Sequence, residues 1–421
     1  MRYYRDVLAR TVLVLICVAC LMGAALAQEK VELTWYIMRN VEELPFWQEM
    51  ADRHMEKNPH VKVTLMNEVS GGVAKLTTMI ASGIPPDVVR GETNWMPEHA
   101  ASGCFVNLNP YITRDRAELK LQEFPQAVMD AFKLDGQQYA MPIVVSALVF
   151  NYNIPRLQEA GVPPPQPGWN WDDFLTVLRR LTKEEADGRI TQYGVSMDRA
   201  LNRVQTFLLQ NGTDLFDRGY RTVLIDRPES VEALDYVQSL VNQHRVASWG
   251  GNSDFTSGRS AAQLTGPWRR GVHNVLPDLD WDIAPLPQGK KAASSLYAGG
   301  IAILADSRHH EESWQLVKYL TSTEAQQIWA KNGQSCPARL PVAYSSSFLR
   351  AGAPENARYY VDAINTGHPE PSFPGWADVN SALSSALAPV FAGTLPARVG
   401  AEQAKAVAQP ILDEINKAMS R

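Results

Sequence analysis

The sequence predicts an α/β fold built in two lobes, and three observations carry that prediction. Strand-like and helix-like apolar periodicities alternate from residue 31 onward. The middle of the chain returns to the same alternation, with apolar runs too continuous for half-exposed strands, as in a mainly parallel sheet covered on both faces. The chain, at 421 residues, is also longer than one hydrophobic core usually serves.

The first segment reads as a leader. Arg2, Arg5 and Arg10 precede an apolar run over residues 12–26 that ends in Ala25-Leu26-Ala27. A basic start, a short apolar core and a small-x-small site describe a secretory signal peptide, and the run is too short for a spanning helix of roughly 20 residues. Residues 1–27 are therefore expected to be removed, which places the mature chain outside the cytoplasm. A lipid anchor on Cys20 is the alternative, with Cys17 standing where such a motif takes an aliphatic residue. Loss of the leader, with three Arg and one Asp, moves the formal charge from −5 to −7. A mildly acidic chain argues against nucleic acid as a partner.

Each element follows in order. Val31, Leu33 and Trp35 alternate as a strand; Phe46, Trp47, Met50, His54 and Met55 recur at helical spacing up to Asn58-Pro59; Val61, Val63 and Leu65 alternate again. That is a β-α-β unit. A helix over 73–81 stops at Gly83, and Pro85-Pro86-Asp87 feeds a short buried strand at Val88-Val89. Pro142 opens the apolar run through Val144, Val145, Leu148, Val149 and Phe150. After a loop with Pro163, Pro164, Pro165 and Pro167, Asn170 and Asp173 start a helix whose stripe is Phe174, Leu175, Leu178 and Leu181. Thr321 with Glu324 predicts a capping box before Ile328 and Trp329. Cys104 and Cys336 are the cysteines beyond the leader; one disulfide or two separate thiols are equally compatible with their positions, and neither has metal-ligand spacing.

A series of short motifs, in order along residues 30–410, resembles the family 1 extracellular solute-binding proteins, the maltose-binding-protein-like receptors of ABC importers. The series includes Ser82-Gly83-Ile84-Pro85-Pro86-Asp87, Tyr139-Ala140-Met141-Pro142, Phe150-Asn151-Tyr152-Asn153 and Trp169-Asn170-Trp171-Asp172-Asp173-Phe174. It continues with Thr265-Gly266-Pro267-Trp268, Pro285-Leu286-Pro287, Ala298-Gly299-Gly300-Ile301 and Pro337-Ala338-Arg339. The resemblance implies two α/β lobes joined by crossing strands near 143–146, 296–299 and 337–341. Lobe one would be 28–143 plus 298–339, and lobe two 146–296 plus 342–421. It also implies a carbohydrate held in the interlobe cleft, delivery to permease subunits in the membrane, a monomer, no cofactor, no metal and no catalysis.

The site residues follow from that resemblance and from sugar chemistry. A pyranose offers an apolar face for an aromatic ring and a hydroxylated edge for planar polar side chains. Trp268 and Trp376 match stacking positions, each with core packing as the competing reading. Asn40 and Glu42 lie after the first strand, and Glu92 and Asn94 after the third, where open α/β sheets bind ligands. Arg339 matches a position that reaches the cleft, and Gly299 and Gly300 are expected to let backbone approach the ligand or to supply hinge conformations. Ser146 occupies a crossing position where some maltodextrin binders carry an acid, and the aromatic of their third-strand loop falls on Gly91; both departures point to a different sugar. A glycoside-acting enzyme is the rival class, but G-x-S-x-G, H-E-x-x-H, P-loop and G-x-G-x-x-G motifs are absent from the sequence. The same fold binding a polyamine, a peptide or ferric ion is the other alternative. For iron, the pair Tyr359-Tyr360 falls in a helix pattern that points the two rings apart.

Overall fold

The structure is a computed structural model that describes residues 30–419. The expected leader, with Cys17 and Cys20, lies outside the described residues. Among these residues no helix is long and apolar enough to cross a membrane.

The predicted β-α-β start is present as β1 (Val31–Ile37), α1 (Leu44–Lys57) and β2 (Val61–Asn67), with β1 and β2 parallel and in register over their full length. α2 (Gly72–Ala81) leads to β3 (Val88–Glu92), which pairs with β1, and α3 (Met96–Ala101) follows. Leu33, Trp35 and Ile37 on one face of β1 meet Trp47 and Met50 of α1 in one apolar cluster, while Tyr36 turns to a second cluster on the opposite face. The sheet is thus covered on both sides at β3, which is buried up to Glu92, while the edge strand β2 keeps Lys62 and Thr64 exposed.

The long apolar run through Phe150 is two strands, not one. β4 (Met141–Ala147) belongs to the first sheet and β5 (Val149–Asn153) to the second, with the chain passing between them at Leu148. The crossing therefore falls just beyond the expected 143–146. The helix α4 (Trp171–Leu181) is capped as the sequence suggested: Asn170 accepts from the Asp172 and Asp173 amides, and Asp173 accepts from the Asn170 amide, so an Asp serves where Glu is usual. The second sheet is completed by β6 (Ile190–Ser196), β7 (Ala247–Ser248), β8 (Ser260–Thr265) and β9 (Trp281–Ala284), with helices α5 (Leu201–Gln210) and α6 (Pro228–Asn242) packed beside it.

β10 (Ser294–Ile303) returns to the first sheet between β3 and β4. Then come α7 (His310–Leu320) and α8 (Thr323–Asn332). Here one expectation is corrected. The cap of α8 is Ser322, whose hydroxyl accepts from the Ala325 amide; Thr321 instead donates to the Val317 carbonyl and closes α7. β11 (Cys336–Pro337) pairs with Val144 and Val145, and β12 (Gly367–Pro369) still pairs with the start of β10. The short helices between them pack Val342, Phe348 and Tyr360 against Val145 of the first sheet and Ile283 of the second. Glu370, Ser372 and Gly375 still bond to Thr93, Ala131 and Glu98 of the first lobe, before α9 (Trp376–Phe391) and α10 (Ala397–Met419) share the second lobe's core with Val204, Phe207 and Leu234.

Cys104 and Cys336 are separate free thiols. Tyr360 is wholly buried and its hydroxyl donates to Asn151 Oδ1 at 3.4 Å, while Tyr359 is only partly buried. Burial pushes the Tyr360 phenol far up, opposite to what a phenolate ligand needs.

Candidate functional site

The carboxyl ends of the parallel strands of both sheets face one another across the cleft, the place where open α/β sheets offer loops and helix starts to a ligand. From the first lobe, β1 delivers Arg39 and Asn40, and β3 delivers Glu92, Thr93 and Asn94. From the second lobe, β6 leads to Asp198 and to Asn202 and Arg203 on the first turn of α5, and β8 leads to Gly266-Pro267-Trp268. Tyr297 on β10 and Glu370 after β12 lie on the connections between lobes.

The platform is aromatic. Trp268 is half-buried, with its ring edge-on to Tyr297 at 4.9 Å between centroids. The Arg203 guanidinium lies 5.4 Å from the Trp268 ring and 5.5 Å from the Tyr297 ring. Gly266 is what allows the indole to fold back over its own turn, since a Cβ there would fall 2.1 Å from the ring. Arg203 is held by Asp198 at 2.8 Å, by the Asn202 side-chain oxygen Oδ1 at 3.2 Å and by the Tyr297 hydroxyl. That fixes its planar guanidinium beside the Trp268 and Tyr297 rings, with both Nη1 hydrogens and one Nη2 hydrogen engaged.

Two carboxylates flank it. Glu92 binds Arg90 at 2.8 Å and also pairs with Arg39, whose loop is pinned by two hydrogen bonds with Asn67. Glu370 joins the lobes: it accepts from Asn202 of α5 at 3.3 Å and from the Thr93 hydroxyl at 3.5 Å. Its carboxyl is pushed up to about 7, chiefly by burial, with the Glu92 charge adding to the rise against the Asn202 hydrogen bond.

The structure brings some of the sequence candidates together. Asn40, Glu42 and Trp268 line one cavity of about 610 Å³ at the mouth of the cleft. Asn94 and Trp376 line another, of about 920 Å³, between α3 and the start of α9. Trp376 nevertheless serves mainly as core: it is 7% exposed and packs on Phe216 and Phe373 at 5.8 and 5.7 Å. Ser146 is buried opposite Tyr297 in the β4–β10 pairing.

Three candidates are corrected. Arg339 faces away from the cleft, buried within lobe one. Its fork donates to Glu123 at 2.6 Å and to the Leu119 and Thr321 carbonyls, it stacks on Phe124, and at 2% exposure it is closed to a ligand. Gly299 and Gly300 have ordinary negative-φ backbone and serve packing. A Cβ at Gly299 would stand 2.4 Å from the Arg90 guanidinium, and one at Gly300 would stand 2.9 Å from the Phe132 ring. Gly299 thus gives Arg90 its path to Glu92.

Sequence reasoning missed Arg203, Tyr297 and Glu370. The available signals were the one charged residue of the helix α5 and an acid locked between Pro369 and Pro371.

The family model of bacterial extracellular solute-binding proteins matches residues 40–327. The chain belongs to that family. A putative binding protein of Brucella abortus is 22% identical over 364 residues, covering 83% of this chain and 85% of that one. The arabinooligosaccharide-binding protein of Bacillus subtilis is 24% identical, covering 72% of each. Among solved structures, an ABC substrate-binding protein of Listeria monocytogenes in complex with cycloalternan superposes with a TM-score of 0.80 at 25% identity, covering 93% of this chain and all of that one. The cyclic α-maltosyl-1,6-maltose binding protein of Arthrobacter globiformis gives 0.81 at 20% identity, over 91% and 99% of the two chains. The two-lobed, maltose-binding-protein-like architecture of this solute-binding protein is thereby established, as is the family resemblance read in the sequence.

Proposed function

We propose that this solute-binding protein is the extracytoplasmic component of an ABC importer, that it holds a carbohydrate between its lobes, and that it delivers the sugar to membrane permease subunits without chemical change. The observation that carries this reading is the fixed set of Trp268, Tyr297 and Arg203 on the cleft floor, flanked by Glu92 and Glu370. An aromatic face beside planar polar groups suits the two surfaces of a pyranose. Neighbouring receptors that bind arabino- and malto-type oligosaccharides support the sugar class. The mature protein would act as a monomer outside the cytoplasm after loss of residues 1–27. Its lobes would hinge where the chain crosses at Leu148 and beyond Pro369.

A thermal-shift panel of mono- and oligosaccharides tests the reading. A sugar at a hundred times its Kd should stabilise the folded state by about 2.7 kcal/mol and raise Tm accordingly. A panel in which every sugar is silent while a polyamine, a peptide or ferric ion raises Tm would assign another solute. Release of reducing ends from an oligosaccharide by the pure protein would make it an enzyme.

A further inference from the structure

Large hydrophobic side chains left in solvent are few among the described residues, and they are not scattered. Four of the eight, Val41, Val69, Val272 and Val275, line the same cavity of about 610 Å³ at the cleft mouth. Two come from each lobe: Val41 and Val69 follow β1 and β2, while Val272 and Val275 stand one helical turn apart after the Trp268 turn. Val275 is 76% exposed and Val41 61%. Single exposed valines are ordinary, but four converging on one concavity from separate segments form an apolar wall.

That wall reaches the polar group of Arg203 and Tyr297 through Trp268, which lines the same cavity. Asn40, Glu42, Arg269 and Gln334 also line the cavity, so polar side chains stand among the exposed valines. A bare sugar engaging Arg203, Tyr297 and Glu370 offers hydroxyls, not carbon, to the valines. A ligand matching both the polar group and the wall has a hydroxylated ring at one end and an apolar group at the other.

We propose that the cleft takes a glycoside, with the sugar ring on the polar group and an alkyl or aryl aglycone between Val41 and Val69 of one lobe and Val272 and Val275 of the other. The proposal rests on the carbohydrate reading and narrows it. Burial of the aglycone supplies the hydrophobic contribution that a free sugar lacks. It also draws both lobes onto one ligand, because half of the wall belongs to each.

The test uses the mature chain and matched pairs of probes: glucose, galactose, mannose, xylose and arabinose, each beside its p-nitrophenyl glycoside, measured by calorimetric titration. The sugar that binds is expected to bind at least tenfold more tightly as its p-nitrophenyl glycoside. The double variant Val41→Ser, Val275→Ser, altered only at exposed positions, should lose that gain and keep the affinity for the free sugar. Equal or weaker binding of the glycoside overturns the proposal while leaving the carbohydrate reading intact. So does a gain that survives in the double variant, which would place it on Trp268 alone. A double variant that binds both probes normally and fails only in transport would make the valines a permease-facing surface instead. Failure of every free sugar and every glycoside to bind removes the carbohydrate reading and the proposal together.

Discussion

The side chains on the cleft floor differ in what their loss should do. Trp268 is half-buried and packs mainly on Tyr297 and Arg203. Trp268→Ala is expected to weaken sugar binding at least tenfold while lowering Tm by only a few degrees; a large Tm loss with unchanged affinity would make the indole a packing residue. Arg339 should behave in the opposite way. Arg339→Met strips Glu123 and two carbonyls of their buried partner, at a cost of about 3–5 kcal/mol in urea denaturation, with ligand affinity unchanged. Glu370 carries the pH dependence. Its carboxyl titrates near 7 in the folded chain against an ordinary 4.5, so the folded state binds more protons across that interval and stability falls as pH rises through it. The lost stability is on the order of 3 kcal/mol. Glu370→Gln should flatten Tm against pH between 5 and 8 and exceed the parent at pH 8; an unchanged slope would assign the titration elsewhere. Of these three residues, sequence brought forward Trp268 and Arg339. Their motifs are local, but only packing separates an arginine engaged by its own lobe from one open to the cleft, and Glu370 gains its character from burial between two lobes.

At the scale of elements, periodicity revealed the opening β-α-β unit, the buried strand at Val88 and the capped helix α4. It did not divide the apolar run from Met141 to Asn153, because strands buried on both faces look alike in either sheet. It also placed the α8 cap one residue early, since Thr321 and Ser322 are equally able caps and only the end of α7 decides between them. The Asn170 cap predicts a measurable effect: Asn170→Ala removes both acceptor bonds at the start of α4 and should cost about 1 kcal/mol in chemical denaturation. Since α4 lies apart from the cleft, sugar affinity should not move with it.

For the whole molecule, length and motif order were enough to give two lobes, because each core has a limited size. The limits of the lobes were less legible. The segment 340–366 packs on both sheets at once, a contact between distant strands that no local pattern encodes. The same holds for the site, whose members come from the ends of five strands and the interior of a sixth and meet only when the lobes do. Ligand binding therefore requires contact from both lobes. Hydrogen–deuterium exchange of the mature protein with and without its best-binding sugar tests this most directly. Protection is predicted together in 38–42, 92–95, 197–203 and 266–269, with 370–372 following. Protection confined to one lobe, or absent from these segments while the sugar is bound, would contradict it.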